Sequence, residues 1–162
     1  SSTYSFYHRS FPLFGKAELS LTVRGGKPDP TKYYIVCRSD RNRFMGGNYA
    51  NGWVTANISE LGASYELEYD DRPPVINPFG QSSWDTGHVI RIALSDDKSG
   101  IKSFQGYIDN RFVIFDRNDR SNIVVCHLKD TPVKREGRMR HLRFVATDNR
   151  NNTSTFECDI RY

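Results

Sequence analysis

From residue 140 to residue 161 apolar and polar side chains change places at almost every step. Leu142, Phe144 and Ala146 share one parity, and beyond a turn at 148–152 so do Phe156, Cys158 and Ile160. A period of two puts one set of side chains on one face of a pleated strand, so these segments read as half-buried strands and not as helices. The same alternation runs through 88–95, where Ile90, Ile92 and Leu94 align, and through 122–128, where Val124, Cys126 and Leu128 align. Further strands are expected at 75–79, 101–108 and 111–115, with Asp109-Asn110 turning one into the next because both residues tolerate positive φ. Seven short strands within about 90 residues, punctuated by turns, is the pattern of an immunoglobulin-like sandwich.

Upstream the chain is similar in kind but less regular. Strands are expected at 17–23, 33–38, 44–47, 53–56 and 64–69, joined by the glycine turns Gly25-Gly26, Gly46-Gly47 and Asn51-Gly52. The only helix-like start, Ser59-Glu60-Leu61, is stopped by Gly62 and allows at most one turn. Tyr4, Phe6, Tyr7, Phe11 and Phe14 make the N-terminal stretch too aromatic for a free tail, and it is expected to pack on this first region.

Between the two regions lies Asp70-Asp71-Arg72-Pro73-Pro74. Paired prolines hold the backbone extended and cannot donate to a central ladder, so they suit a short stiff linker. The expectation is an all-β protein of two tandem β-sandwich domains, residues 1–72 and 73–162, the second immunoglobulin-like with about seven strands. With 37% hydrophobic and 26% charged residues the 162-residue chain can bury a core, and no apolar run approaches the roughly 20 residues of a membrane helix. The chain opens Ser1-Ser2-Thr3-Tyr4-Ser5, without a Met, a basic region or an apolar region, and reads as a fragment from which a signal peptide or an upstream domain has been removed.

The residues that could carry chemistry are few. His8, His88, His127 and His141 are spread so that no two fall at metal-ligand spacing, and H-E-x-x-H, H-x-H, G-x-S-x-G, the Walker loop and G-x-G-x-x-G are absent from the sequence. His127 and Asp130 read as a surface pair at a strand end. The sequence therefore offers no catalytic, cofactor-binding or metal residue, and no cofactor is expected. Asp96 and Asp97 at one turn and Asp148, Asn149 and Asn151 at another would supply five oxygen-bearing side chains to calcium if the turns met, but Asp and Asn also cap turns through their own backbone, which is the preferred reading. Cys37, Cys126 and Cys158 form no C-x-x-C, and buried thiols are favoured over a Cys126–Cys158 disulfide.

Charge is mildly positive, +4 overall. Lys134, Arg135, Arg138, Arg140 and Arg143 form the one basic stretch, which reads as a solvated hairpin end in preference to a phosphate-binding patch, so no nucleic acid is expected as a partner. Tyr33, Tyr34, Tyr49, Trp53, Tyr65 and Tyr69 could form a stacking surface for sugars or peptide. With so few aliphatic residues in the first region, most of them are expected in its core.

An ordered set of residues carries a resemblance. Asp71-Arg72-Pro73-Pro74-Val75-Ile76, Ile90-Arg91-Ile92 leading to Leu94-Ser95-Asp96, Ser99-Gly100-Ile101-Lys102-Ser103, Tyr107-Ile108-Asp109-Asn110, Phe144-Val145-Ala146-Thr147-Asp148-Asn149 and Asn152-Thr153-Ser154-Thr155 follow one another in the second region. Together with Gly46-Gly47-Asn48-Tyr49 and Asn51-Gly52-Trp53-Val54-Thr55 they resemble the Ig-like C-terminal region of bacterial lysostaphin-type zinc metallopeptidases, which cut peptidoglycan cross-bridges. The zinc motifs of that family, H-x-x-x-D and H-x-H, do not occur here, so no catalytic or metal role transfers to any residue. The resemblance implies an exported chain in the periplasm or cell envelope. It implies a non-catalytic accessory region that positions or regulates an upstream peptidase domain in cis, with peptidoglycan or another envelope polymer as candidate partner. The alternative is a carbohydrate- or protein-binding adhesion module that uses exposed aromatics such as Trp53 and Tyr49.

Overall fold

The computed structural model describes residues 3–5, 11–118 and 120–162, with side chains from residue 15 onward. The chain forms two compact units, Ser1–Arg72 and Pro73–Tyr162. Both are antiparallel β-sandwiches, so the chain is all-β as expected.

In the first unit one sheet runs in the order β1 (Thr3–Ser5), β7 (Ser64–Tyr69), β3 (Tyr33–Arg38), β4 (Arg43–Phe44), and the other in the order β2 (Phe11–Thr22), β6 (Trp53–Leu61), β5 (Asn48–Ala50). Leu19, Leu21, Tyr33, Ile35, Cys37, Val54, Ala56, Ile58 and Tyr65 meet in the core. Two expectations are corrected. Ser59-Glu60-Leu61 does not turn into a helix but ends β6, because its backbone pairs with the start of β2 at Phe11↔Leu61 and Pro12↔Glu60. The strand expected at 44–47 is shorter, since Gly46 (φ +88°) takes the chain out of it. Gly47 is required for a different reason: a Cβ there would sit 2.8 Å from Val54 Cγ1 and 3.2 Å from the backbone of Tyr34. Where the aromatic side chains of Tyr4, Phe6, Tyr7, Phe11 and Phe14 pack lies outside the described residues.

In the second unit the sheets run β11 (Arg111–Val113), β10 (Ile101–Ile108), β14 (Met139–Asp148), β15 (Thr153–Arg161) and β12 (Asp116–Arg117), β13 (Ile123–His127), β9 (Val89–Ser95), β8 (Val75–Phe79). The inward parity read from the sequence is the observed core: Ile90, Ile92, Leu94, Val124, Cys126, Leu142, Phe144 and Ala146 are all buried. Asp109 (φ 50°) and Asn110 (φ 63°) both take the left-handed conformation that a two-residue hairpin turn demands. The strand expected at 111–115 divides. After Val113 the chain leaves one sheet and enters the other as β12, anchored by Phe115, whose ring lies over Gly106 and meets Phe144 edge to face at 4.9 Å. Among the described residues the unit therefore has eight strands, in line with the about seven expected. A one-turn helix, α1 (Trp84–Gly87), also appears where none was expected. It brings Trp84 into the core, 2% exposed, with its indole N–H donating to the Phe79 carbonyl at 3.0 Å.

Candidate functional site

The six aromatic residues singled out in the first unit differ in exposure. Tyr33, Tyr34 and Tyr65 are buried, and Tyr69 is half-buried under the ammonium group of Lys27, 5.4 Å from its ring centroid. Tyr65 donates its hydroxyl to the Glu60 carbonyl at 2.7 Å, and burial pushes its phenol up to about 12. Tyr49 and Trp53 are both exposed, at 41% and 48%, yet they do not form one row. Tyr49 stands opposite Val54, which is wholly buried, so it lies on the core side of the sheet at an edge strand and leans on Tyr33 with centroids 6.5 Å apart. Trp53 precedes Val54 and so points the other way.

The outer face around Trp53 follows from the register. Trp53 pairs with Thr22 on one side and Ala50 on the other, while the next rung joins Ser20, Thr55 and Asn48 and the one after brings in Asn57. Ser20 and Thr55 are joined by a hydroxyl–hydroxyl bond of 2.7 Å. One half-exposed indole is thus surrounded by hydroxyl and amide side chains, the only nearby charge on these rungs being Glu18 opposite Asn57. An indole offers a flat apolar face to a ligand, and the hydroxyls and amides around it both donate and accept hydrogen bonds.

The two turns considered for calcium do meet, at one end of the second unit. The Asn149 amide N–H groups reach the carbonyls of Ser99 and Gly100 at 2.8 and 3.2 Å, and Lys102 donates to Asn151 Oδ1 at 3.0 Å. A carboxylate oxygen of Asp96 and one of Asp148 lie within 4.8 Å of each other. Both acids cap their own turns: Asp96 Oδ2 accepts from the Gly100 amide at 2.8 Å, and Asp148 accepts from the amides of Arg150 and Asn152 at 2.8 and 2.9 Å. Asp97 is exposed, and the side chains of Asn149 and Asn151 are used in joining the turns. Turn capping thus describes Asp96 and Asp148, while Asn149 and Asn151 tie the two turns together.

The basic stretch divides, two of its members lying apart from the other three. Arg143 lies on the outer face of its sheet with its guanidinium carbon 4.4 Å from the Tyr107 ring centroid, and Tyr107 in turn meets the exposed Phe112. Arg135 is exposed, whereas Lys134, Arg138 and Arg140 gather around one cavity. His8 lies outside the described residues, His88 and His127 line one cavity with Lys129 and Asp130, and His141 stands elsewhere. His127 is exposed, His88 is buried with its ring 5.2 Å from Tyr162, and His141 bonds Glu157 at 2.9 Å and Asp159 at 3.2 Å, which raises its pKa. The three cysteines are unbridged, and burial pushes the Cys126 thiol up to about 12.

Sequence reasoning grouped Trp53 with five tyrosines and missed that it lies exposed on the outer face of its sheet. Its parity relative to Val54 was the available clue. It also missed Arg111 and the burial of Arg140, although Arg140 shares the parity of Leu142, Phe144 and Ala146.

No curated protein matches the chain. Among solved structures it is similar to a chain from the structures of Clostridium thermocellum CbhA fibronectin(III)-like modules, at 12% identity over 89% of this chain and 83% of that one, with a TM-score of 0.40. Residues 1–70, nearly the whole of the first unit, are similar to the Zu5-like domain.

Proposed function

We propose that this chain is a non-catalytic accessory module that binds an envelope carbohydrate on the outer face of the β2–β6–β5 sheet. The observation that carries this reading is Trp53, 48% exposed on a face it shares with Ser20, Thr22, Asn48, Thr55 and Asn57, with Ala50 beside it and Glu18 two rungs away. A large apolar ring left in water on a regular strand is poorly used by the fold, while the C–H face of a pyranose would cover it and the neighbouring hydroxyls and amides would bond the sugar's hydroxyls. The resemblance to lysostaphin-type peptidases supplies the finer form of the reading: the carbohydrate is peptidoglycan, the chain is exported, and it holds an upstream zinc peptidase domain at that substrate.

Co-sedimentation of the chain with insoluble peptidoglycan tests the binding. Wild type is expected in the pellet and Trp53→Ala at least tenfold less so, with soluble fragments shifting the emission of the exposed tryptophan. Equal pelleting of the two, or none of either, refutes it. The cis partner is tested separately by the sequence encoded just before Ser1, where H-x-x-x-D and H-x-H are expected. Zinc-dependent cleavage of peptidoglycan by this chain alone would overturn the non-catalytic assignment.

A further inference from the structure

The turn between β10 and β11 and the loop 131–138 enclose a cavity of about 240 Å³ in the second unit. Four cations line it, Arg111, Lys134, Arg138 and Arg140, against two carboxylates, Asp109 and Glu136. The cavity thus carries a surplus of two positive charges. Three of those cations come from the one basic stretch in the sequence; the fourth, Arg111, comes from the far side of the hairpin turn.

Arg140 is the unusual member. It sits at an inward-facing position of β14, and its side chain is only 7% exposed. One terminal nitrogen bonds Asp109 Oδ2 at 3.2 Å, and the other donates to the Lys134 carbonyl and stands 3.7 Å from Glu136. Its Nε–H is buried with no hydrogen-bond partner. Asp109 is already engaged: it accepts from the His141 amide at 2.9 Å and faces Arg138 at 3.4 Å, and these donors hold its carboxyl below the usual carboxylate range. Arg138 is likewise bound to Glu136 at 3.1 Å. Lys134 has no carboxylate partner among the described residues, and Arg111 has only a long bond of 3.4 Å to the Pro132 carbonyl. Two exposed cations, Arg111 and Lys134, are therefore without a carboxylate among the described residues, and the Arg140 Nε–H behind them has no acceptor.

From this geometry we infer that the cavity binds a phosphate-class oxyanion, as inorganic phosphate or as the phosphoryl group of a phosphomonoester. A surplus of two charges matches a dianion better than a carboxylate, and guanidinium N–H groups are suited to the several oxygens of a phosphoryl group. The volume lies below the range of drug-sized pockets, which fits a small anion with its waters. This site stands apart from the sugar-binding reading of the first unit and does not depend on it.

The test is a titration of the 162-residue chain with sodium phosphate at ionic strength held constant by chloride, followed by amide and arginine Nε–H resonances. Shifts of the Arg140 Nε–H and of the amides at 132–138 are expected to saturate. The double variant Arg111→Ala/Lys134→Ala, altered only at exposed positions and checked for folding by Trp84 emission, is expected to bind at least tenfold more weakly. O-phosphoserine separates the two sources: shifts matching those of phosphate assign a phosphomonoester, and shifts with phosphate alone assign the free anion. Shifts no larger than those from chloride, or equal binding by the double variant, overturn the proposal.

Discussion

The two sandwiches reach the same architecture with different interiors. The second unit packs aliphatic residues and phenylalanines at alternate positions of long strands, and Ile90, Ile92, Leu142 and Phe144 are completely buried. The first has fewer such residues and completes its core with Tyr33 and Tyr65, each a ring with a polar end to satisfy. A hydrocarbon core needs only shape and area, whereas a tyrosine core needs a partner for every buried hydroxyl. The first unit is therefore the more dependent on local geometry. Charge divides as well, 9 basic against 8 acidic residues in 1–72 and 14 against 11 in 73–162, so the basic surplus belongs mainly to the unit that holds the arginine-lined cavity.

The sharpest test of the contrast is Phe144→Ala. It removes the ring that meets Phe115 at 4.9 Å and Phe104 at 6.1 Å, and a loss of about 3–5 kcal/mol is expected from the cavity it leaves. Urea unfolding followed by the emission of buried Trp84 should show it, and a loss under about 1 kcal/mol would mean that this core repacks freely.

Overpacking is next in size. Gly47→Ala would press on Val54 Cγ1 and Gly106→Ala on the Phe115 ring, each at an expected cost of about 1–3 kcal/mol. Near-UV circular dichroism of the tyrosines reads the first and Trp84 emission the second. If Gly106→Ala proves the milder, Phe115 is free to move and the sheet crossover is not anchored as described.

Tyr65→Phe deletes the bond to the Glu60 carbonyl and should cost about 1 kcal/mol in thermal unfolding. Because the folded phenol lies at about 12, above its ordinary 10.0, its contribution to stability is fully present below pH 10. Between pH 10 and 12 the unfolded chain releases this proton first, so stability falls as pH rises. Alkaline difference absorbance should find one tyrosine ionising last in wild type and lacking in the variant.

The smallest effect is that of His141. Its hydrogen bonds to Glu157 and Asp159 raise its pKa above 6.5, so their stabilisation is fully present below pH 6.5, down to the range where the carboxylates themselves protonate, and is lost as pH rises through the raised value. His141→Gln should flatten this shallow slope of melting temperature against pH, and an NMR titration of wild type should place the imidazole above the ordinary histidine range.

Legibility in sequence followed the same division. Strand, parity and core of the second unit could be read at Leu142, Phe144 and Ala146, because aliphatic alternation has one physical meaning on a two-layer sandwich. At Ser59-Glu60-Leu61 local propensity pointed to a turn of helix, and pairing with the start of β2 overrode it. Phe115 looked like the end of a strand, whereas its burial over Gly106 is what carries the chain from one sheet to the other.

For the candidate sites the line falls in the same place. Alternation along the chain determined that this protein is built of strands, which residues of the second unit face inward, and that Trp53 and Val54 must face opposite ways. Tertiary structure alone decided that Trp53 stands among hydroxyls and amides, and that Arg111 joins Arg140 across a hairpin turn. Parity is a property of one strand and is written in its own residues. Register and loop closure join residues far apart in the chain, and no local pattern records which of them will meet.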